Sequence, residues 1–119
     1  MAWTRMVLEI GMGTDIRGAD PTKAAIRALK DALRHNSLGV ADVIGVPVDS
    51  MRIKITIGVP KPDGVNASQV LSVLPHGTGE VEVIEGGLEI PHPSRDDPTI
   101  IAHAAAVVYL DLPERVVSS

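Results

Sequence analysis

The sequence has no cysteine and no phenylalanine, and Trp3 and Tyr109 are its only aromatic residues. Without cysteine there is no disulfide framework, no thiolate-held zinc or iron–sulfur centre and no thiol nucleophile. Two aromatic side chains are too few for a platform on which successive bases stack. Surplus positive charge is missing too. Eleven Lys and Arg against fifteen Asp and Glu leave a net charge of −4 at pH 7. Gripping a phosphate backbone or an anionic membrane calls for clustered cations, so no nucleic-acid or membrane partner is expected. The longest apolar run, Ala104 to Leu110, is far below the roughly 20 residues that span a bilayer. The opening Met-Ala-Trp-Thr-Arg-Met lacks the charged start, apolar stretch and cleavage site of a secretory signal. The expectation is a soluble, cytoplasmic protein.

What is present suits a folded globular chain: 119 residues, 45% hydrophobic and 22% charged, a length expected to form a single domain over 1–119. Met6 to Met12 reads as a first strand, with Met6, Leu8, Ile10 and Met12 on one face and Arg5, Val7, Glu9 and Gly11 on the other. A glycine-rich loop is expected from Gly13 to Ala19. Asp20-Pro21 then opens a helix, because Asp accepts bonds from free first-turn amides and Pro suits the first helical position. Its apolar stripe is Ala25, Ile26, Leu29, Ala32 and Leu33. A basic stripe of Lys23, Arg27, Lys30 and Arg34 lies opposite, with Asp31 placed to pair with Arg27. The helix is expected to end near His35-Asn36, before a connector containing Gly39, Gly45 and Pro47.

Met51 to Val59 is the clearest strand. Met51, Ile53, Ile55, Ile57 and Val59 alternate with Arg52, Lys54, Thr56 and Gly58, the period-two pattern of a sheet with one buried face. Asn66 caps a short second helix ended by Pro75. Gly79 to Ile90 supplies a third strand, interrupted at Gly86-Gly87 by a bulge or turn. Ile101 to Leu110 supplies the last, and Pro113 to Ser119 reads as a frayed tail. The order β-α-β-α-β-β predicts an α+β fold: a mixed four-stranded sheet with two helices on one face. Two helices cover one face and leave the other bare. That face, with Arg5, Glu9, Arg52, Lys54, Thr56, Glu80, Glu82, His103 and Tyr109 among smaller apolar groups, is either solvated or packed against copies of the chain.

The segment Gly11-Met12-Gly13-Thr14-Asp15-Ile16-Arg17-Gly18 stands out chemically. It joins a strand end to a helix start, where free amides and the helix dipole favour anions. Asp15 there suits substrate orientation or proton transfer, and Arg17 suits clamping a carboxylate or phosphate. The alternative is a tight turn whose glycines permit positive φ. The spacing fits neither a dinucleotide-binding fingerprint nor a phosphate-binding loop with Gly-Lys-Ser/Thr. Of His35, His76, His92 and His103, none pairs at metal-ligand spacing. A zinc site from His92, His103, Asp96 and Asp97 has little support, and no metal or cofactor is expected. His76, in Leu74-Pro75-His76-Gly77, is the acid–base candidate, with a plain surface histidine as its alternative. The serines lack a nucleophile-elbow context.

The pattern Gly11-x-Gly13-x-Asp15-x-Arg17-Gly18 resembles the hallmark of a small uncharacterised family of bacterial and plant proteins, which reads Gly-x-Gly-x-Asp-x-His-Gly. The likeness continues through Asp20 to Ala25, His35 to Leu38, Leu74 to Gly77 and Glu85 to Leu88. Arg17 stands where that family has histidine, so a role for that histidine as base would not carry over. The resemblance brings no reaction with it. The element order also resembles trimeric bacterial chorismate mutases, imine deaminases and the C-terminal domain of tubulin-like proteins. That analogy implies a homo-oligomer, a trimer or multiple, with ligand sites between subunits where Arg and Lys hold carboxylates. Arg17, Arg52 and Lys54 fit such a part. The resulting expectation is a small anionic or carbonyl-bearing ligand at a subunit interface. Asp15, Arg17 and His76 are the catalytic candidates, and Gly11, Gly13, Gly18, Arg52 and Lys54 the binding candidates. An enzyme is favoured over a pure binder; the competing class is a non-catalytic oligomeric or ligand-sensing module.

Overall fold

One helix and two glycines set the geometry of the sheet. In the computed structural model, which describes residues 2–34 and 39–113, strand β1 (Ala2–Asp15) is followed by helix α1 (Pro21–Leu33). The helix begins where its cap predicts: the Asp20 carboxylate accepts from the amides of Thr22 at 2.9 Å and Lys23 at 3.3 Å. Its buried residues are mostly alanine: Ala24, Ala25, Ala28 and Ala32, with Leu29 and Thr22. These small side chains let the helix backbone descend onto β1 at Gly11 and Gly13. A Cβ on Gly11 would fall among backbone atoms of Ala28 and Ala32, and one on Gly13 among those of Ala24, Arg27 and Ala28. Glycine stands here because a second backbone occupies the space of a side chain.

The remaining elements are α2 (Val40–Ile44), β2 (Arg52–Val59), α3 (Ala67–Leu71), β3 (Thr78–Glu85), β4 (Leu88–Ile90) and β5 (Thr99–Leu112). The sheet order is β1-β5-β2-β3, with β4 also on β5. Strand β5 is antiparallel to both β1 and β2, and β2 and β3 run parallel. The last strand thus slots between the first two. Parallel β2 and β3 need a crossover rather than a hairpin, and α3 lies in it, capped by Asn66, whose side chain accepts from the Gln69 amide at 3.2 Å. The core lies on one side of the sheet. Ile53, Ile55, Ile57 and Val59 of β2 and Ala102, Ala104, Ala106, Val108 and Leu110 of β5 pack beneath the helices with Leu29, Val70 and Met51.

The expected α+β class holds, with a mixed sheet, but the details differ. Among the described residues there are five strands rather than four, because Gly86-Gly87 separates β3 from β4. Gly87 has φ 64° and lies against the Ile101 carbonyl, where no side chain fits. A third short helix, α2, forms in the supposed connector and ends at Gly45, φ 88°. The first strand runs on to Asp15, so Gly11 lies in it as expected and Gly13 belongs to it rather than to a loop. The face assignment in β1 is also corrected. A bulge between Arg5 and Val7 flips the alternation: Arg5 shares the open face with Leu8, Ile10 and Met12, whereas Glu9 lies on the helix side with Gly11, Gly13 and Asp15. The apolar triplet therefore faces outward, because the helix takes the side with the least side-chain bulk. The expected cap at His35-Asn36 lies outside the described residues, as does the tail beyond Pro113.

The expected Asp31–Arg27 pair does not form. Asp31 bonds Arg34 at 2.8 Å and accepts from the Met12 amide at 3.0 Å. Arg27 donates to the Thr14 carbonyl at 2.6 Å and to Asp15 at 3.2 Å. Two side chains of α1 thus occupy main-chain groups on the free edge of β1, a protection against stray strand pairing. The packing at Gly13 makes a direct prediction. Gly13→Ala lowers stability by more than about 2 kcal/mol, since overpacking against backbone forces the helix to shift. Gly45→Ala, whose added methyl meets nothing, costs about 1 kcal/mol from its positive φ alone. Urea unfolding midpoints measure both, and equal losses would refute the close-packing account.

Candidate functional site

The Gly11–Gly18 segment is held by carboxylates of the chain itself. Asp15, 4% exposed, accepts from the Asp20 amide at 2.9 Å through Oδ2 and from Arg27 at 3.2 Å through Oδ1. Gly18 has φ 88°, and its amide donates to Asp97 Oδ2 at 2.7 Å. Arg95 pairs with Asp97 at 3.3 Å and donates to the Ile16 carbonyl at 3.2 Å. The amides of Gly18, Asp20, Thr22 and Lys23, the donors an incoming anion would use, are therefore engaged by Asp97, Asp15 and Asp20. Arg17 is exposed beside them.

The bond from the Gly18 amide holds the Asp97 carboxyl below its ordinary value of 3.8, helped by its own amide and by Arg95 and opposed by desolvation. A carboxyl with a depressed folded value contributes stability that is complete above its unfolded value and is lost as pH falls through the folded one. Asp97→Asn is thus expected to destabilise the protein near neutrality. Its gap from the parent narrows as pH drops below 3.8. Melting temperatures at neutral and acid pH check this, and a gap constant with pH would contradict it.

The other end of the sheet holds a cleft of about 550 Å³, lined by Trp3, Arg52, Ile53, Lys54, Thr78, Gly79, Glu80 and Tyr109. Four strands build it. Arg5 and Arg52 both pair with Tyr109 in the ladder, and Arg52 and Lys54 pair with Thr78 and Glu80 of β3. The Arg52 guanidinium stacks 4.1 Å above the centroid of the Trp3 ring, a cation–π contact that positions the cation without neutralising it. Arg52 and Lys54 give the cleft two positive charges against the single carboxylate of Glu80.

The candidates from sequence divide between the two ends. Asp15 pairs with Ile100 and Arg52 with Tyr109; the nine positions of β5 between them correspond to about 30 Å. Asp15, Arg17 and Gly18 lie at one end, Arg52 and Lys54 at the other, and Gly11 and Gly13 beneath α1. His76 lies near the cleft end, two residues before Thr78. Its Nδ1 meets Asp49 at 3.4 Å, and it does not line the cleft. Trp3 went unassigned in sequence and Tyr109 was placed only on the polar face. Their being the chain's two aromatics was the available signal. Among the described residues no group of three or more His, Asp or Glu is placed to hold a metal ion; His92 Nδ1 instead accepts from the Ser94 amide at 3.1 Å.

Comparison with known proteins adds a family. The model of a conserved hypothetical protein family, Lin0512_fam, matches residues 5–108. The chain belongs to that family. Among solved structures it is similar to an FtsZ-like protein of unknown function from Nostoc punctiforme PCC 73102, at 38% identity and a TM-score of 0.82, over 94% of this chain and 99% of that one. No curated protein matches. No helix of the described residues is long and apolar enough to cross a membrane. An uncharacterised family was expected and one is found, and neither comparison names a reaction for this Lin0512_fam member.

Proposed function

We propose that the protein binds a small organic anion, a carboxylate or phosphate with a flat or apolar body, in the cleft between Trp3, Arg52, Lys54 and Tyr109. The observation that carries this reading is that the only two aromatic residues of the chain converge with two cations on one concave surface. Small-molecule sites combine apolar walls with a few placed polar groups in this way. Arg52, braced on Trp3, presents N–H groups to an anion with little rotamer freedom left to lose. Lys54 adds a point charge, and Thr78 a hydroxyl. Binding is favoured over catalysis, because the acid–base candidates Asp15 and His76 do not line the cleft. The cleft is favoured over the Gly11–Gly18 loop, because the loop amides are already bonded to Asp15, Asp20 and Asp97. The other class of reading, a module that assembles without a ligand, expects no response to anions.

Trp3 is the only tryptophan, so its fluorescence reports on the cleft directly. Titration with inorganic phosphate, pyrophosphate and citrate is expected to give a saturable change with at least one of them. Arg52→Ala with Lys54→Ala should weaken it at least about tenfold, near 1.4 kcal/mol, whereas Arg17→Ala should leave it intact. Loss in Arg17→Ala but not in the double variant would move the site to the glycine segment and overturn the proposal.

A further inference from the structure

We infer that the open face of the sheet packs against the same face of a second copy of this chain, about a two-fold axis running along the strands. The face carries Leu8, Ile10 and Met12 from β1, Ile84 from β3, and Leu88 and Ile90 from β4, each between 44% and 64% exposed. Six large aliphatic side chains exposed on one sheet face mark a contact region. Four strands about 4.8 Å apart and eight residues long span roughly 19 by 26 Å. With side-chain relief that approaches the ~800 Å² of accessible surface each partner contributes to a stable interface.

Charge selects the occupant. Glu80 and Glu82 stand on the β3 edge, Arg52 and Lys54 on β2 beside them, and Arg5 on the opposite edge, β1. An anionic membrane or nucleic acid would meet the two glutamates, and a cationic partner would meet the three cations. A second copy presents both signs. Charge also selects the axis. Two sheets pack face to face with their strands roughly aligned. A two-fold along the strands turns the order β1-β5-β2-β3 over, so that β3 of one copy lies above β1 of the other and Glu80 approaches the partner copy's arginine. Arg5 is level with Thr78, two residues from Glu80 and within the reach of its own side chain. The same axis lays Tyr109 over the basic strand. An axis across the strands would set β3 on β3 and oppose glutamate to glutamate, which costs free energy.

The cleft lies on this same face, so an anion bound there would sit between the two copies; the experiment therefore uses the ligand-free full chain, where association is read without it. Sedimentation equilibrium at micromolar concentration should give twice the 12.5 kDa chain mass. Ile10→Lys and Met12→Lys, both on exposed positions, should give folded monomers by circular dichroism. Glu80→Lys with Glu82→Lys should weaken association at least tenfold, and adding Arg5→Glu should restore most of it. A monomeric parent protein overturns the inference, including one that floats with anionic vesicles. So does a dimer indifferent to both lysine variants, and failure of Arg5→Glu to rescue overturns the axis.

Discussion

Everything in this structure hangs on the close approach of helix α1 to strand β1. Alanines on the helix and glycines on the strand remove the side-chain layer that normally separates a helix from a sheet. Backbone meets backbone at Gly11 and Gly13. A contact this tight tolerates no sliding, because a shift of one residue along β1 would drive Met12 or Thr14 into the helix. It fixes which face of β1 points inward, places Arg27 and Asp31 over the strand's free edge and delivers Asp20 beside Asp15. The turn between them is then tied by the carboxylates of Asp15 and Asp97.

From this follows the lopsided character of the molecule. The bulky residues of β1 are pushed to the side away from the helix, and β5, β2 and β3 continue that division. One face is a dry alanine, isoleucine and valine layer. The other mixes exposed aliphatic side chains with charges of both signs. A surface of that kind is costly to leave in water and ill-suited to a partner of uniform charge. The cleft belongs to this open face and lies where four strands present Trp3, Tyr109, Arg52 and Lys54 together, far from the glycine segment that the linear sequence makes conspicuous.

Local signals were legible wherever their cause was local. The Asp20-Pro21 start of α1, the Asn66 cap of α3 and the alternation of β2 depend on neighbours in the chain, and each appears where the sequence places it. The count of strands failed at Gly86-Gly87, because whether a glycine pair makes a bulge or divides a strand depends on the Ile101 carbonyl, a long-range neighbour. The glycine segment is ambiguous in sequence for the same reason. Glycines between a strand and a helix suit both an anion cradle and a helix seat, and only the position of α1 distinguishes them. In the cleft, Arg52 and Lys54 are binding candidates on sequence alone, whereas Trp3 and Tyr109 lie 106 positions apart and meet only through the pairing of β1 with β5.

The sequence by itself determined the class of fold, the start of its main helix, the inward face of β2 and β5 and the exclusion of cysteine chemistry, since these rest on composition and on spacings of a few residues. The tertiary structure alone decided which side of β1 is buried, what Asp15 and Arg27 bond to and which cations share a cleft. Those outcomes turn on steric exclusion between segments distant in the chain, and a side chain's partner across a sheet is set by register, which no single stretch of residues encodes.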